Sequence, residues 1–187
     1  MRAVYEAAAA YLGLKEWPGA KHNPQIVEFA SMVGADWVQD DETPWCASFV
    51  GAVLAECGLV GTGKLNARSY LDWGEPMDLK EAQKGDVVVF WREKPTSWKG
   101  HVGFYHGEVA GSIEVLGGNQ GNAVSVAKYP AGRLLGVRRG SGAPAAAQET
   151  PAPETSPAQR VGVPAAWAAL GGALAAFAGA LWNWIGG

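Results

Sequence analysis

The sequence predicts a fold of the α+β class, with helices first and an antiparallel sheet after them. Apolar residues recur at helical spacing as far as about residue 58. After residues 84–86 the spacing changes, and short runs rich in valine and aromatic residues alternate with glycine-containing turns. Hairpin-like connections between these runs favour antiparallel pairing of neighbouring strands.

Three helices are predicted before residue 60. The first covers residues 3–14, and the second covers residues 24–32 behind an Asn23 cap. In the third, Thr43 is the predicted N-cap and Pro44 the first helical residue, because threonine caps well and proline is tolerated where a helix begins.

The second half of the domain is predicted to be a sheet. A short helix is expected near residues 67–73 before it. Strands are predicted at residues 87–91, 101–106, 112–116, 124–128 and 134–138.

Composition divides the chain into three predicted parts. Residues 1–139 carry the domain described above, and residues 140–160 are a linker rich in proline, alanine and small polar residues. Residues 161–187 contain no charged residue. As a helix, residues 164–185 would be about 33 Å long, enough for a bilayer core of about 30 Å, so we predict a membrane-spanning helix. A self-associating soluble helix is the alternative, because large apolar residues there repeat in steps of three and four.

Composition also excludes several classes of function. The net charge of −3 offers no basic surface for nucleic acid. Cys46 and Cys57 share one predicted helix, about 16 Å apart, which is too far for a disulfide. No paired-cysteine motif indicates zinc, and no cofactor is expected. The charges of Arg2 and Glu6 do not fit a secretory signal peptide.

Cys46 is the leading candidate for chemistry. It lies in the first turn of the third predicted helix, where backbone N–H groups have no intrahelical partners. Those groups and the helix dipole favour a thiolate, which is the reactive form of a catalytic cysteine. The alternative is a small apolar residue buried as part of the helix.

A cysteine nucleophile needs a base and a group that orients the base. His101 opens a predicted strand and can face a helix N-terminus packed on the sheet, whereas His106 has the opposite parity and His22 lies in a loop. Asn119 ends the next strand and can offer an oxygen to the imidazole. The alternative for Asn119 is a turn that only joins two strands.

Four motifs occur together in one order: TPWCASFV, GDVVVF, GHVGFY and GGNQ. This arrangement resembles the bacterial cell-wall cysteine hydrolases of the CHAP and NlpC types, which include phage endolysins, over roughly residues 5–139. The resemblance implies a papain-like fold without cofactor, with Cys46 as nucleophile, His101 as base and Asn119 in the variable third position. CHAP proteins often have a glutamate shortly before that asparagine, where this chain has Gly117 and Gly118.

The implied activity is hydrolysis of an amide bond in the peptidoglycan stem, by an N-acetylmuramoyl-L-alanine amidase or an endopeptidase. Candidate substrate-binding residues are Trp45, Tyr105, Gln120 and Glu16. The catalytic domain would be made in the cytoplasm of a bacterial host, stay associated with the membrane through its C-terminal helix, and act on the wall as a phage or prophage lysis enzyme.

Two other functions fit part of the pattern. Membrane-anchored lipid acyltransferases and thioesterases share a related fold, but their histidine precedes their cysteine, which is the reverse of the order here. A non-catalytic wall-binding or assembly module tethered to the membrane is the second alternative, and the presence of both Cys46 and His101 argues against it.

Overall fold

A computed structural model of the protein describes residues 1–140. One antiparallel sheet holds six strands in the order β1-β6-β2-β3-β4-β5. The helices are α1 (Arg2–Ala9), α2 (Pro24–Met32) and α3 (Cys46–Glu56), and short 3₁₀ helices cover Ala67–Asp72, Leu79–Glu81 and Ala131–Arg133. The strands are β1 (Glu75–Met77), β2 (Val87–Trp91), β3 (Gly100–Val109), β4 (Ser112–Gly117), β5 (Ser125–Pro130) and β6 (Leu134–Arg139). The predicted mixture of helices and antiparallel sheet is confirmed.

The sheet has a hydrophobic cluster on each face. Val87 and Val89 of β2 pack with the helices, while Val88 and Phe90 pack into a second cluster on the opposite face. Both faces of β2 are therefore buried, which explains why it is a continuous apolar run rather than an alternating one. The helix-facing cluster fixes α3 against the sheet and so sets the position of Cys46.

The sheet curls strongly at its β5 edge. Tyr129 on β5 stacks on Phe90 of β2, with ring centroids 4.9 Å apart. Two strands lie between β5 and β2, which in a flat sheet would separate them by about 14 Å. This curvature brings residues of β2, β3 and β5 together around His101.

The helix starts and ends differ from the sequence prediction in two places. α1 ends at Ala9 rather than near residue 14, because backbone hydrogen bonds of 3.0 Å and 2.7 Å tie Gly13 and Leu14 to Val124. α3 begins at Cys46, after Thr43 and Pro44, because the Thr43 backbone N–H and hydroxyl donate to Asp40 instead of capping the helix. By contrast, α2 and β2 have the predicted bounds, and the Asn23 side chain caps α2 at 3.1 Å from the Gln25 nitrogen.

The sequence prediction omits β1. This strand has only three residues, includes Pro76, and pairs with β6 at the edge of the sheet. A proline on a short edge strand carries none of the usual strand signals.

The predicted linker from residue 141 onward and the uncharged segment 161–187 lie outside the described residues. Among the helices of residues 1–140, none has the length and apolar character needed to cross a bilayer.

Candidate active site

Cys46 is the first residue of α3 and is 6% exposed. Its own backbone N–H, that of Ala47 and that of Val102 on β3 each act to lower the pKa of the thiol, which favours the thiolate form. The later start of α3 places Cys46 at the first helical position, where backbone N–H groups lack partners within the helix.

The start of β3 is open on one side. Residues from Gly100 to Phe104 pair with β2, but pairing with β4 begins only at Phe104. The N–H of Val102 is therefore available to Cys46, and the N-terminal end of α3 meets β3 at the residue that follows His101.

His101 is buried, at 1% exposure, and its Nε2 atom lies 3.1 Å from Oε1 of Gln120. The Gln120 amide nitrogen donates to the carbonyl oxygens of Val115, at 3.2 Å, and Ser125, at 2.5 Å. Because those contacts fix the NH₂ group away from the ring, the Gln120 oxygen must accept the Nε2 proton of His101. The other ring nitrogen, Nδ1, is then unprotonated and able to act as a base.

The side chain that meets His101 thus differs from the one expected. The sequence predicts an oxygen from Asn119, whereas the hydrogen bond comes from Gln120, the candidate substrate-binding residue. Asn119 adopts a left-handed backbone conformation with φ of 56° and lines the cavity beside Cys46. The tight turn therefore directs Gln120 to His101 and Asn119 to the cavity, which is the reverse of the prediction.

Gly117 and Gly118 leave room for this arrangement. A Cβ atom on Gly117 would lie 3.2 Å from Gln120 and 3.3 Å from Nε2 of His101. On Gly118 it would lie 2.4 Å from the Trp45 ring. A side chain would therefore clash at Gly118 and crowd the contact between His101 and Gln120 at Gly117.

An aromatic ring holds the other side of His101. Tyr129 stacks on the imidazole with ring centroids 4.8 Å apart and planes inclined by 12°. Together with the hydrogen bond to Gln120, this stack fixes both the position and the rotation of the His101 ring. Tyr129 lies one residue beyond the predicted fourth strand, which ends at residue 128, and the curl of the sheet brings it to the site.

Burial shifts the pKa values of both Cys46 and His101. It raises the pKa of the Cys46 thiol, and the three N–H groups and the nearby charge of Arg92 only partly oppose this rise. Burial lowers the pKa of His101 to about 4, although the hydrogen bond to Gln120 acts in the opposite direction. Near neutral pH the resting pair is therefore a thiol and a neutral imidazole, and not the thiolate that the helix position predicts.

Cys46 and His101 line one cavity of about 300 Å³. Its other walls come from the start of α3, from the segment before the 3₁₀ helix at Ala67–Asp72, and from the β2–β3 loop. The remaining lining residues are Pro44, Leu65, Asn66, Ala67, Arg92, Trp98, Lys99, Gly100 and Asn119. This is a suitable volume for part of a peptide next to a nucleophile.

Three predicted substrate-binding residues lie outside the lining of this cavity. Trp45 is 2% exposed and packs in the core, and its indole Nε1 donates to Glu16 at 2.8 Å. Glu16 therefore supports the residue next to Cys46. Tyr105 packs on the far face of the sheet, and its hydroxyl donates to Glu108 at 3.3 Å.

The other two histidines have different partners. His22 lies 3.0 Å from buried Asp41, whose second oxygen accepts from the backbone N–H groups of Trp17 and Asn23. His106 contacts the Tyr5 hydroxyl at 2.5 Å. Across residues 1–140, no group of three or more His, Cys, Asp or Glu side chains is arranged to hold a metal ion.

Arg92 is a cavity residue that sequence reasoning missed. The signal available was its position, since it directly follows the predicted strand at 87–91 and opens the loop that leads to His101. Loop residues next to a strand that carries a reactive group often contact substrate.

The chain resembles known proteins in structure rather than in sequence. No protein-family model matches the chain, and no curated protein sequence matches it. Thirteen chains of solved structures do match. One is a Staphylococcus aureus protein described as similar to lipoprotein, of the NLP/P60 family, with 18% identity and a TM-score of 0.45. The match covers 74% of this chain and 40% of that longer one.

Proposed function

We propose that this protein is a cysteine hydrolase that cleaves an amide bond of the peptidoglycan stem peptide. The observation that carries the proposal is the shared cavity of Cys46 and His101, in which Gln120 holds the imidazole with Nδ1 free to accept a proton. The order of the four sequence motifs, which resembles that of the CHAP and NlpC hydrolases, supports peptidoglycan as the substrate.

The mechanism follows from the protonation states. Nδ1 of His101 accepts the Cys46 proton as the sulfur attacks the amide carbonyl, so the thiolate forms only during the reaction. The imidazolium that results is stabilised through its Nε2–H bond to Gln120. The backbone N–H of Cys46 stabilises the oxyanion. His101 then protonates the leaving amine, and water hydrolyses the thioester.

The decisive experiment compares the two cysteines. Zymograms on purified peptidoglycan should show clearing by the full chain and by Cys57→Ala, and none by Cys46→Ala. Cys57 is the matched control because it is at the far end of α3. Equal clearing by Cys46→Ala and the unmodified chain would refute the mechanism. Mass spectrometry of the products would distinguish muramoyl–alanine cleavage from cleavage within the stem.

We also propose that residues 161–187 attach the enzyme to the membrane of a bacterial host, where it serves as a phage or prophage lysis enzyme. The support is the uncharged sequence, which is preceded by four basic residues, since positive charge tends to stay on the cytoplasmic side. These residues are Arg133, Arg138, Arg139 and Arg160. The N-terminal domain should resist protease added outside spheroplasts, and ready digestion would exclude this location.

A further inference from the structure

The loop between β2 and β3, residues 92–99, forms a braced wall of the cavity. Arg68 donates from Nε to the Lys99 carbonyl at 3.2 Å and from its terminal nitrogen to the Pro95 carbonyl at 2.9 Å. Inside the loop, the Ser97 hydroxyl accepts from the Lys99 backbone N–H at 3.2 Å, and Ser97 is 8% exposed. These bonds make the wall a pre-formed surface.

Three of the cations at this wall, Arg68, Arg92 and Lys99, differ in their partners. Arg68 is occupied by the two carbonyl groups, and Nζ of Lys99 is paired with Glu93 at 2.5 Å. The Arg92 guanidinium has no hydrogen-bond or ion-pair partner among residues 1–140. Arg92 lines the same cavity as Cys46 and His101.

The cavity also lacks a compensating anion. None of the lining residues contributed by residues 1–140 is acidic. An unpartnered guanidinium beside a nucleophile attracts a carboxylate, which it can bind through two parallel N–H donors. Trp98, which is 72% exposed on the same wall, offers an apolar face beside that position.

We propose that Arg92 binds the free α-carboxylate of the second residue of the stem peptide, and so selects stems in which this group is not amidated. This inference rests on the proposed function, because it assigns a specificity determinant to the same cavity. The second residue suits binding by Arg92 because it is close to each candidate scissile bond. Its carboxylate lies within two residues of the muramoyl–alanine bond and of the peptide bonds that follow it in the stem.

The test uses two muramoyl tripeptides that differ only in a carboxylate or a carboxamide on the second residue. Binding to Cys46→Ala protein is measured by calorimetry, and cleavage by the active chain is measured by chromatography. We expect about tenfold tighter binding and about tenfold higher kcat/KM for the carboxylate, the usual strength of one charge-assisted contact. Arg92→Gln should reduce the preference for the carboxylate peptide to less than about twofold, both in binding affinity and in kcat/KM.

Lys94→Gln is the matched control, because it removes one positive charge from the same loop but Lys94 does not line the cavity. Lys94→Gln should keep the full preference for the carboxylate peptide, both in binding affinity and in kcat/KM. A ratio between two substrates also cancels any effect of the Arg92 charge on Cys46 and His101, since that effect is common to both peptides. Arg92→Lys should keep part of the preference, because it retains the charge but loses the two-donor geometry.

The outcomes separate this inference from the proposed function. Cleavage of both peptides at equal rates, or a preference that survives Arg92→Gln, would overturn the role of Arg92 and leave the hydrolase intact. Binding that prefers the carboxylate and depends on Arg92, without cleavage of either peptide, would support the role of Arg92 while refuting the hydrolase. Equal binding of both peptides without cleavage would overturn both.

Discussion

Removing the Gln120 side chain should separate its role from that of its neighbour Asn119. In Gln120→Ala, the buried Nε2–H of His101 loses its acceptor, and the carbonyl groups of Val115 and Ser125 lose a donor. A hydrogen bond to a group that becomes charged is worth about 1.5–3 kcal/mol. Since about 1.4 kcal/mol corresponds to tenfold in rate, kcat should fall about 10- to 100-fold.

The same substitution should also cost stability. Buried groups left without partners cost about 1–3 kcal/mol in the free energy of unfolding, which urea denaturation can measure. Asn119→Ala is the matched control. Asn119 lines the cavity but does not make the hydrogen bond to His101, so this variant should change KM more than kcat. Its free energy of unfolding should fall only by the roughly 1 kcal/mol that alanine costs at a left-handed φ of 56°.

Turnover of purified peptidoglycan by the two variants gives a direct comparison. If Asn119→Ala lost activity as completely as Cys46→Ala while Gln120→Ala kept near-normal kcat, the assignment of Gln120 as the residue that positions His101 would be refuted. The third member would then be Asn119, as the sequence predicts, through a contact formed only with substrate.

Three further predictions concern protonation and packing. In Cys57→Ser protein, the rate at which iodoacetamide alkylates Cys46 should keep rising as the pH is raised into the alkaline range, because burial raises the pKa of this thiol. The His101 pKa of about 4 lies below the value of about 6.5 expected when unfolded, so this histidine stabilises the fold at neutral pH. The free energy of unfolding, measured by urea denaturation, should fall by about 3 kcal/mol as the pH is lowered from 6.5 to 4. The decrease should be smaller in His101→Gln, which has no imidazole to protonate. Gly118→Ala should destabilise the fold by about 1–3 kcal/mol, because its Cβ would lie 2.4 Å from the Trp45 ring.

Each of these has a contrary result. An alkylation rate that is already constant from pH 5 to 8 would indicate a resting ion pair. Equal acid sensitivity of the unmodified protein and His101→Gln would show that the imidazole is not held neutral by burial. For the glycine, Gly132→Ala is the control, because an added Cβ there meets nothing within 4 Å. An equally small effect at both positions would contradict the close packing at Gly118.

Local signals in the sequence were sufficient for the fold class and for much of its order. The helix at residues 24–32 and the strand at 87–91 could be predicted because a cap, a proline and an apolar run act within a few residues of one another. The same holds for the choice of Cys46 and His101, since helix start and strand parity are properties of short segments. Their catalytic roles stay predictions.

Tertiary structure decided the features that depend on residues far apart in the chain. Burial, which no short segment reveals, reversed the expected shift in the Cys46 pKa. The turn after β4 determined that Gln120 rather than Asn119 contacts His101, and the curl of the sheet brought Tyr129 onto the imidazole. Residue types and spacing therefore selected Cys46 and His101 as candidates, whereas their environment and the orientation of the imidazole required the packed fold, because desolvation and long-range contacts exist only there.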